Sequence, residues 1–205
     1  MSRSLTGIRA DRTQSYRSIE QMTAQLRAML SLNPLDRFDA LGFFEEVIPE
    51  MTVECGAGVI SLCEAVDEIG EEGRTKWDSS AGRIEIALSG RAYSMLREGH
   101  PRAVYTVAHE AGHACLHTDQ VIRLGDMPIG SQVALHRNRD QHEPYEDTEW
   151  QANAFGSALL MPAEGVSRLF GRLGRTSAIA LTETFGVSLE AAGYRIGTYE
   201  RSLGR

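Results

Sequence analysis

Val107-Ala-His109-Glu110-Ala-Gly-His113-Ala-Cys-Leu-His117 is the stretch whose reading decides the fold. Apolar residues recur at helical spacing from about Pro101 to His117, and Pro101 suits a first helical turn, where its missing N–H leaves no bond unmade. On a helix, residues four apart share one face, so His109 and His113 can aim imidazole nitrogens at a single point. Paired imidazoles at that spacing are suited to hold a metal ion. Glu110 then sits beside the ion. It is too short and wrongly directed to be a natural third ligand, but it can hydrogen-bond a water and take its proton. The small Ala111 and Gly112 allow a neighbouring helix to approach closely.

A catalytic zinc site needs three protein ligands and an open position, whereas a structural one recruits four, often cysteines. A third histidine continuing the same motif, as in metzincins, requires Gly at 116 and His at 119; the chain has Leu116 and Asp119. The third ligand must therefore come from elsewhere. Glu149-Trp-Gln-Ala-Asn153 opens a second expected helix, from about Thr148 to Leu160, stopped near Pro162. Glu149 and Asn153 lie four apart, so Asn153 can support whatever Glu149 holds, and Ala152 is small enough for close helix approach. Glu143, Glu146, Asp147 and His142 compete with Glu149 on spacing alone. His117 can approach the metal face, and its plainer reading is a histidine at a helix end.

Working outward, residues 1–15 are polar and Arg/Ser/Thr-rich without apolar periodicity and are expected to be a disordered leader. Ile19, Met22, Leu26 and Met29 or Leu30 mark a first helix, and a second is expected from about Phe38 to Ile48. Glycines punctuate the region from Met51 to Leu88. There Ile84, Ile86 and Leu88 alternate with more polar residues after the turn-forming Asp78-Ser-Ser-Ala-Gly82, which predicts a small antiparallel sheet containing a hairpin. The charged stretch from about Thr118 to Asp147 reads as a long loop bordering the site. Beyond Glu164, short helices are expected around a Gly186-Val-Ser188 turn. The division is a leader over 1–15, a metal-binding domain over 16–163, and a C-terminal helical subdomain over 164–205 packed on it. The fold class is α+β, with the small sheet packed on the HExxH helix.

Composition narrows the function classes. The 205 residues suffice for one cored domain, and no stretch approaches the roughly 18 apolar residues of a membrane span. The N-terminus has no apolar core of a secretory signal, so a cytoplasmic protein is expected. Three cysteines, Cys55, Cys63 and Cys115, form no metal or redox pattern. The net charge of −7 argues against broad attraction to nucleic acid.

Three segments together carry a resemblance: Tyr105-Thr-Val-Ala-His-Glu-Ala-Gly-His113, Glu149-Trp-Gln-Ala-Asn-Ala-Phe155, and Ala158-Leu-Leu-Met-Pro162. They resemble the ImmA/IrrE family of zincin metallo-endopeptidases, with Tyr105 in place of its usual Phe and Gly156 in place of its usual Ala. Phe185-Gly-Val-Ser188 and Tyr194-Arg-Ile196 are similar to its C-terminal helical pair. The match runs over about 80–200; residues 1–75 agree only in general arrangement, and the stretch from Cys55 to Lys76 looks longer than usual. The resemblance implies a zincin-like fold, with one Zn2+ held by His109, His113 and Glu149, and Mn2+ or another divalent ion as a substitute. It makes Glu110 the general base, with Asn153, Tyr105 and Arg195 candidates for supporting the site or touching substrate. It also implies limited proteolysis of a helix-turn-helix repressor by a protease of bacteria or their mobile elements, in stress response or transcription control. The alternative is a metal-containing regulator that sequesters a repressor, or binds DNA through a C-terminal helix-turn-helix, without cleaving.

Overall fold

The computed structural model describes residues 7–53, 56–64, 72–127 and 142–202. Helix α1 (Tyr16–Met29) begins at a capping box in which Ser15 and Ser18 satisfy each other's backbone N–H. Its Arg27 is buried and donates to the carbonyl oxygens of Leu159, Asn33 and Asp36, fixing the chain that leaves the helix. The second expected helix is broken. Ala40–Gly42 (α2) is followed by a π turn, Phe43–Val47, and a 3-10 turn, Ile48–Glu50, so that Phe43, Phe44 and Ile48 all reach the core.

The sheet comprises β1 (Gly58–Glu64), β2 (Gly73–Asp78) and β3 (Arg83–Ser89) in the order β1-β3-β2. It is mixed, which corrects the antiparallel sheet expected above. β2 and β3 form the foreseen hairpin, but β1 pairs parallel to β3 along its other edge. The hairpin is written in local turn chemistry, whereas a parallel pairing joins segments that no turn connects directly. In the turn, the Asp78 carboxylate accepts from Ser80 and Ala81, and Gly82 adopts a φ of 64°, a left-handed backbone that suits glycine. Central β3 buries Ile84 through Leu88 without interruption; Glu85 is buried among them because Lys76 and Arg83 pair with it.

Ser89 caps α3 (Gly90–Arg97), and α4 (Pro101–Leu116) then crosses the sheet. The expected long loop opens instead with α5 (Thr118–Gly125), which packs on β2 where Gly125 lies against Trp77. The rest of that stretch, residues 128–141, lies outside the described residues, as do Cys55 and residues 65–71 of the stretch from Cys55 to Lys76 that looks longer than usual. Helix α6 (Thr148–Leu160) packs along α4 on one side and α1 on the other. Three further helices follow: α7 (Ala163–Leu173), α8 (Ala178–Phe185) and α9 (Leu189–Ser202). Gly186 ends α8 with a φ of 70°, and Ser188 caps the start of α9. Val166, Phe170, Leu181, Phe185 and Ala192 from these helices, with Val187 from the turn between the last two, join the same apolar core as Ile86 and Phe155.

The leader needs a second correction. Residues 1–6 lie outside the described residues, but 7–14 are laid down in order. Ile8 and Ala10 are buried; Gly7 N–H donates to Asp147, Ala10 N–H to the Glu146 carbonyl, and the Ile8 carbonyl accepts from Thr148. Asp11 N–H donates to Gln120, and the Gln120 amide returns a bond to the Arg9 carbonyl. Backbone bonding of this kind carries no hydrophobic period, so the polar composition concealed it.

Candidate metal centre

Helices α4 and α6 meet where their side chains are smallest. A methyl group at Gly112 would lie 3.1 Å from the Ala152 Cα, and one at Gly156 would lie 3.2 Å from the His109 nitrogen. Glycine at 156, where the resembled family has Ala, therefore brings α6 onto the backbone of the HExxH turn itself. The close approach sets Glu149, in the first turn of α6, against the histidines of α4. Asp147 caps that turn, accepting from Trp150 N–H.

His109, His113 and Glu149 present their ligand atoms to one another as a triangle. The two Nε2 atoms are 3.1 Å apart, and the Glu149 carboxylate oxygens lie 3.2 Å from His109 Nε2 and 3.3 Å from His113 Nε2. Ligands at 2.0–2.1 Å from a tetrahedral ion are separated by about 3.3 Å, so these spacings fit a zinc-sized ion. The donor chemistry agrees: a single proton can serve one of these contacts, while a cation serves all three. Burial works against charge on both His109 and Glu149. For His109 the carboxylates of Glu149 and Glu110 outweigh it and hold the pKa above 6.5; for Glu149 the imidazoles of His109 and His113 that face it hold it well below the usual carboxylate range.

The histidines are oriented from behind. His109 Nδ1 is 3.2 Å from Asn153 Oδ1, and the Tyr105 hydroxyl donates to Asn153. His113 Nδ1 lies 3.1 Å from His117 Nδ1, and His117 Nε2 lies 3.0 Å from the Gln151 side-chain oxygen. Burial, then the neighbouring His113, push His117 down to about 4. Asn153 and Tyr105 thus stand beside the triangle, as spacing suggested for Asn153.

Glu110 is almost wholly buried, and the Thr75 hydroxyl of β2 sits 2.8 Å from its Oε2 and 3.0 Å from its carbonyl. Gly73 makes this approach feasible, since a methyl there would lie 2.6 Å from the Thr106 methyl and 3.1 Å from Glu110 Cγ. A cavity of about 650 Å3 opens over these groups, lined by Gly73 to Thr75, Tyr105, His109, Glu110, His113 and Glu149 among others. A second, of about 730 Å3, shares Glu72, Arg102, Tyr105 and Thr106 with the first and extends to Tyr194.

Other candidates go elsewhere. Arg195 does not support the site: it is fully buried, donates to the Met161 carbonyl and pairs with Glu20, so it joins α9 to α1 and the end of α6. An ion pair on a helix, the plainer reading of this arginine, is what it makes. His142 pairs with Asp147, Glu143 and Glu146 cap a 3-10 turn (Pro144–Glu146), and Glu146 pairs with Arg9. None of the four joins the triangle. The Tyr194 hydroxyl meets that of Tyr16, and burial pushes the Cys115 thiol up to about 11, leaving it a packing residue. Thr75 and Gln151 were not singled out from sequence, because neither type announces a role without its neighbours in space.

Residues 97–197 match the family model of Peptidase_M78, the IrrE N-terminal-like domain. This part of the chain is a Peptidase_M78 domain. The Peptidase_M78 match contains both helices of the triangle, and a metallopeptidase domain agrees with a His-His-Glu set. A solved structure of a Mycobacterium tuberculosis transcriptional regulator shares the fold, with a TM-score of 0.55 at 16% identity over 90% of this chain. The likeness takes in 57% of that regulator's chain. No curated protein matches the sequence.

Proposed function

We propose that this protein is a zinc-dependent endopeptidase that performs limited proteolysis, with His109, His113 and Glu149 as ligands and Glu110 as general base. The single observation carrying the reading is the ligand triangle beside a buried carboxylate, Glu110, that is held at one oxygen and lines the same open cavity. A divalent ion bound there supplies Lewis acidity, bringing the pKa of water toward about 7. Glu110, held at one oxygen by Thr75, takes the proton of the attacking water and returns it to the departing amine. Tyr105 lines both cavities, and its hydroxyl, donating to Asn153, supports the amide that holds His109 from behind.

An extended peptide is expected to lie along β2. The strand Arg83–Ser89 is β3 and is paired on both sides, whereas β2 is the edge strand beside the ligand triangle. The proposed substrate is a helix-turn-helix repressor in the cytoplasm, supported by the family resemblance. No helix among the described residues is long and apolar enough to cross a membrane. The DNA-binding alternative loses ground because, of the two arginines on α9, Arg195 is buried, leaving Arg201.

The test is co-expression with the helix-turn-helix repressor encoded nearest the gene, comparing wild type with Glu110→Gln and mapping new repressor termini by mass spectrometry. Cleavage by wild type only, with equal zinc content in both, supports the reading. Repressor inactivation that survives in Glu110→Gln without a new terminus would replace it with sequestration.

A further inference from the structure

Gln151 is fully buried, and its side-chain nitrogen lies 2.9 Å from two backbone carbonyl oxygens, those of Arg12 and Tyr145. Carbonyl oxygens only accept, so both amide hydrogens of Gln151 are committed and its side-chain oxygen must face the other way, toward His117 Nε2 at 3.0 Å. An amide oxygen also only accepts. His117 Nε2 therefore carries the hydrogen, and neutral His117 turns the lone pair of its Nδ1 to His113 Nδ1, 3.1 Å away. His113 Nδ1 must then be the donor, which leaves the lone pair on His113 Nε2, the atom in the ligand triangle.

We infer that His117 and Gln151 are positioning residues that set the tautomer and ring orientation of His113 through this chain of hydrogen bonds, anchored on the backbone at residues 12 and 145. The inference rests on the metal-centre reading above. It gives His117, whose plainer reading was a helix-end residue, a defined task, and it makes the segment at 7–14 part of the metal centre's support. Each link has a fixed polarity, because the two carbonyls at its end cannot reverse theirs. Partners of this kind behind a metal-binding histidine are worth roughly 10–100-fold in metal affinity.

The experiment uses the full chain, stripped of metal and titrated with Zn2+ against a chromophoric chelator, together with 15N-histidine NMR of the metal-free protein near neutral pH. In wild type, His117 is expected as the Nε2–H tautomer and His113 as Nδ1–H. His117→Leu and Gln151→Met are expected to weaken zinc binding roughly 10–100-fold. His117→Asn, which can still offer an oxygen to His113 Nδ1, should recover most of the loss. The opposite tautomer at either histidine in wild type overturns the inference even if no variant folds. So does zinc affinity within about twofold of wild type in folded His117→Leu and Gln151→Met, or a loss that tracks only the unfolded fraction measured by circular dichroism. Failure of wild type itself to bind zinc would instead sink the metal-centre reading.

Discussion

Proton and metal compete for the same nitrogen at His109. Its pKa lies above 6.5 in the metal-free site because burial, which lowers it, is outweighed by Glu149, Glu110 and Asn153. Zinc affinity is therefore expected to climb as pH rises through that value and then level off, with proton release visible by calorimetry in buffers of different ionisation heat. The metal-free stability should run the other way. A raised His109 contributes fully below 6.5 and is lost as pH rises through its folded value; a depressed Glu149 contributes above 4.5 and is lost as pH falls. Metal-free melting temperature should accordingly peak between those two values, while zinc shifts the optimum upward; a metal-free maximum above pH 8 would contradict the assigned pairing. At this scale the sequence was most informative. Helical spacing put His109 and His113 on one face with Glu110 beside them, and Glu149 had a modest lead among the carboxylates, which the resemblance strengthened. Gln151 and Thr75 stayed hidden, since a glutamine or threonine acquires meaning only from what faces it.

Elements place these residues by their smallest side chains. Gly73→Val should press β2 away from Thr106 and Glu110 and reduce cleavage by up to about 100-fold, while the triangle on α4 and α6 keeps its zinc; loss of zinc together with activity would show that β2 supports the ligands as well. Asp147 caps α6, accepts from Gly7 N–H and pairs with His142. Asp147→Ala is therefore expected to cost about 2 kcal/mol, at the upper end for a helix cap, in urea unfolding; a cost near zero would mean that the three contacts are replaced by water. The helices of the site were legible because their caps and apolar periods are local: Pro101 and Pro162 bracket what the structure contains. The order of the sheet was not, because nothing in Gly58–Glu64 says which edge of which strand it will join.

Across the whole molecule, the buried Arg195–Glu20 pair ties the two ends of the chain together, linking α9 to α1 while Arg195 also donates to the Met161 carbonyl. Glu20→Ala strands a buried guanidinium and should cost about 3–5 kcal/mol, read as a lowered melting temperature, whereas Arg195→Met is expected to cost less. Equal losses would point to packing rather than charge. The chain distances in the sheet carry a consequence of another kind, in the order of assembly. β2 and β3 are separated only by the turn at 79–82, so their hairpin can close within microseconds of collapse, whereas β1 must find β3 across the residues between 64 and 83. Thr75 and Gly73, which hold Glu110, belong to the early partner. The working face of the sheet is thus expected to be built before its far edge, and a late-folding intermediate should already protect the β2–β3 amides from hydrogen exchange while leaving those of β1 open.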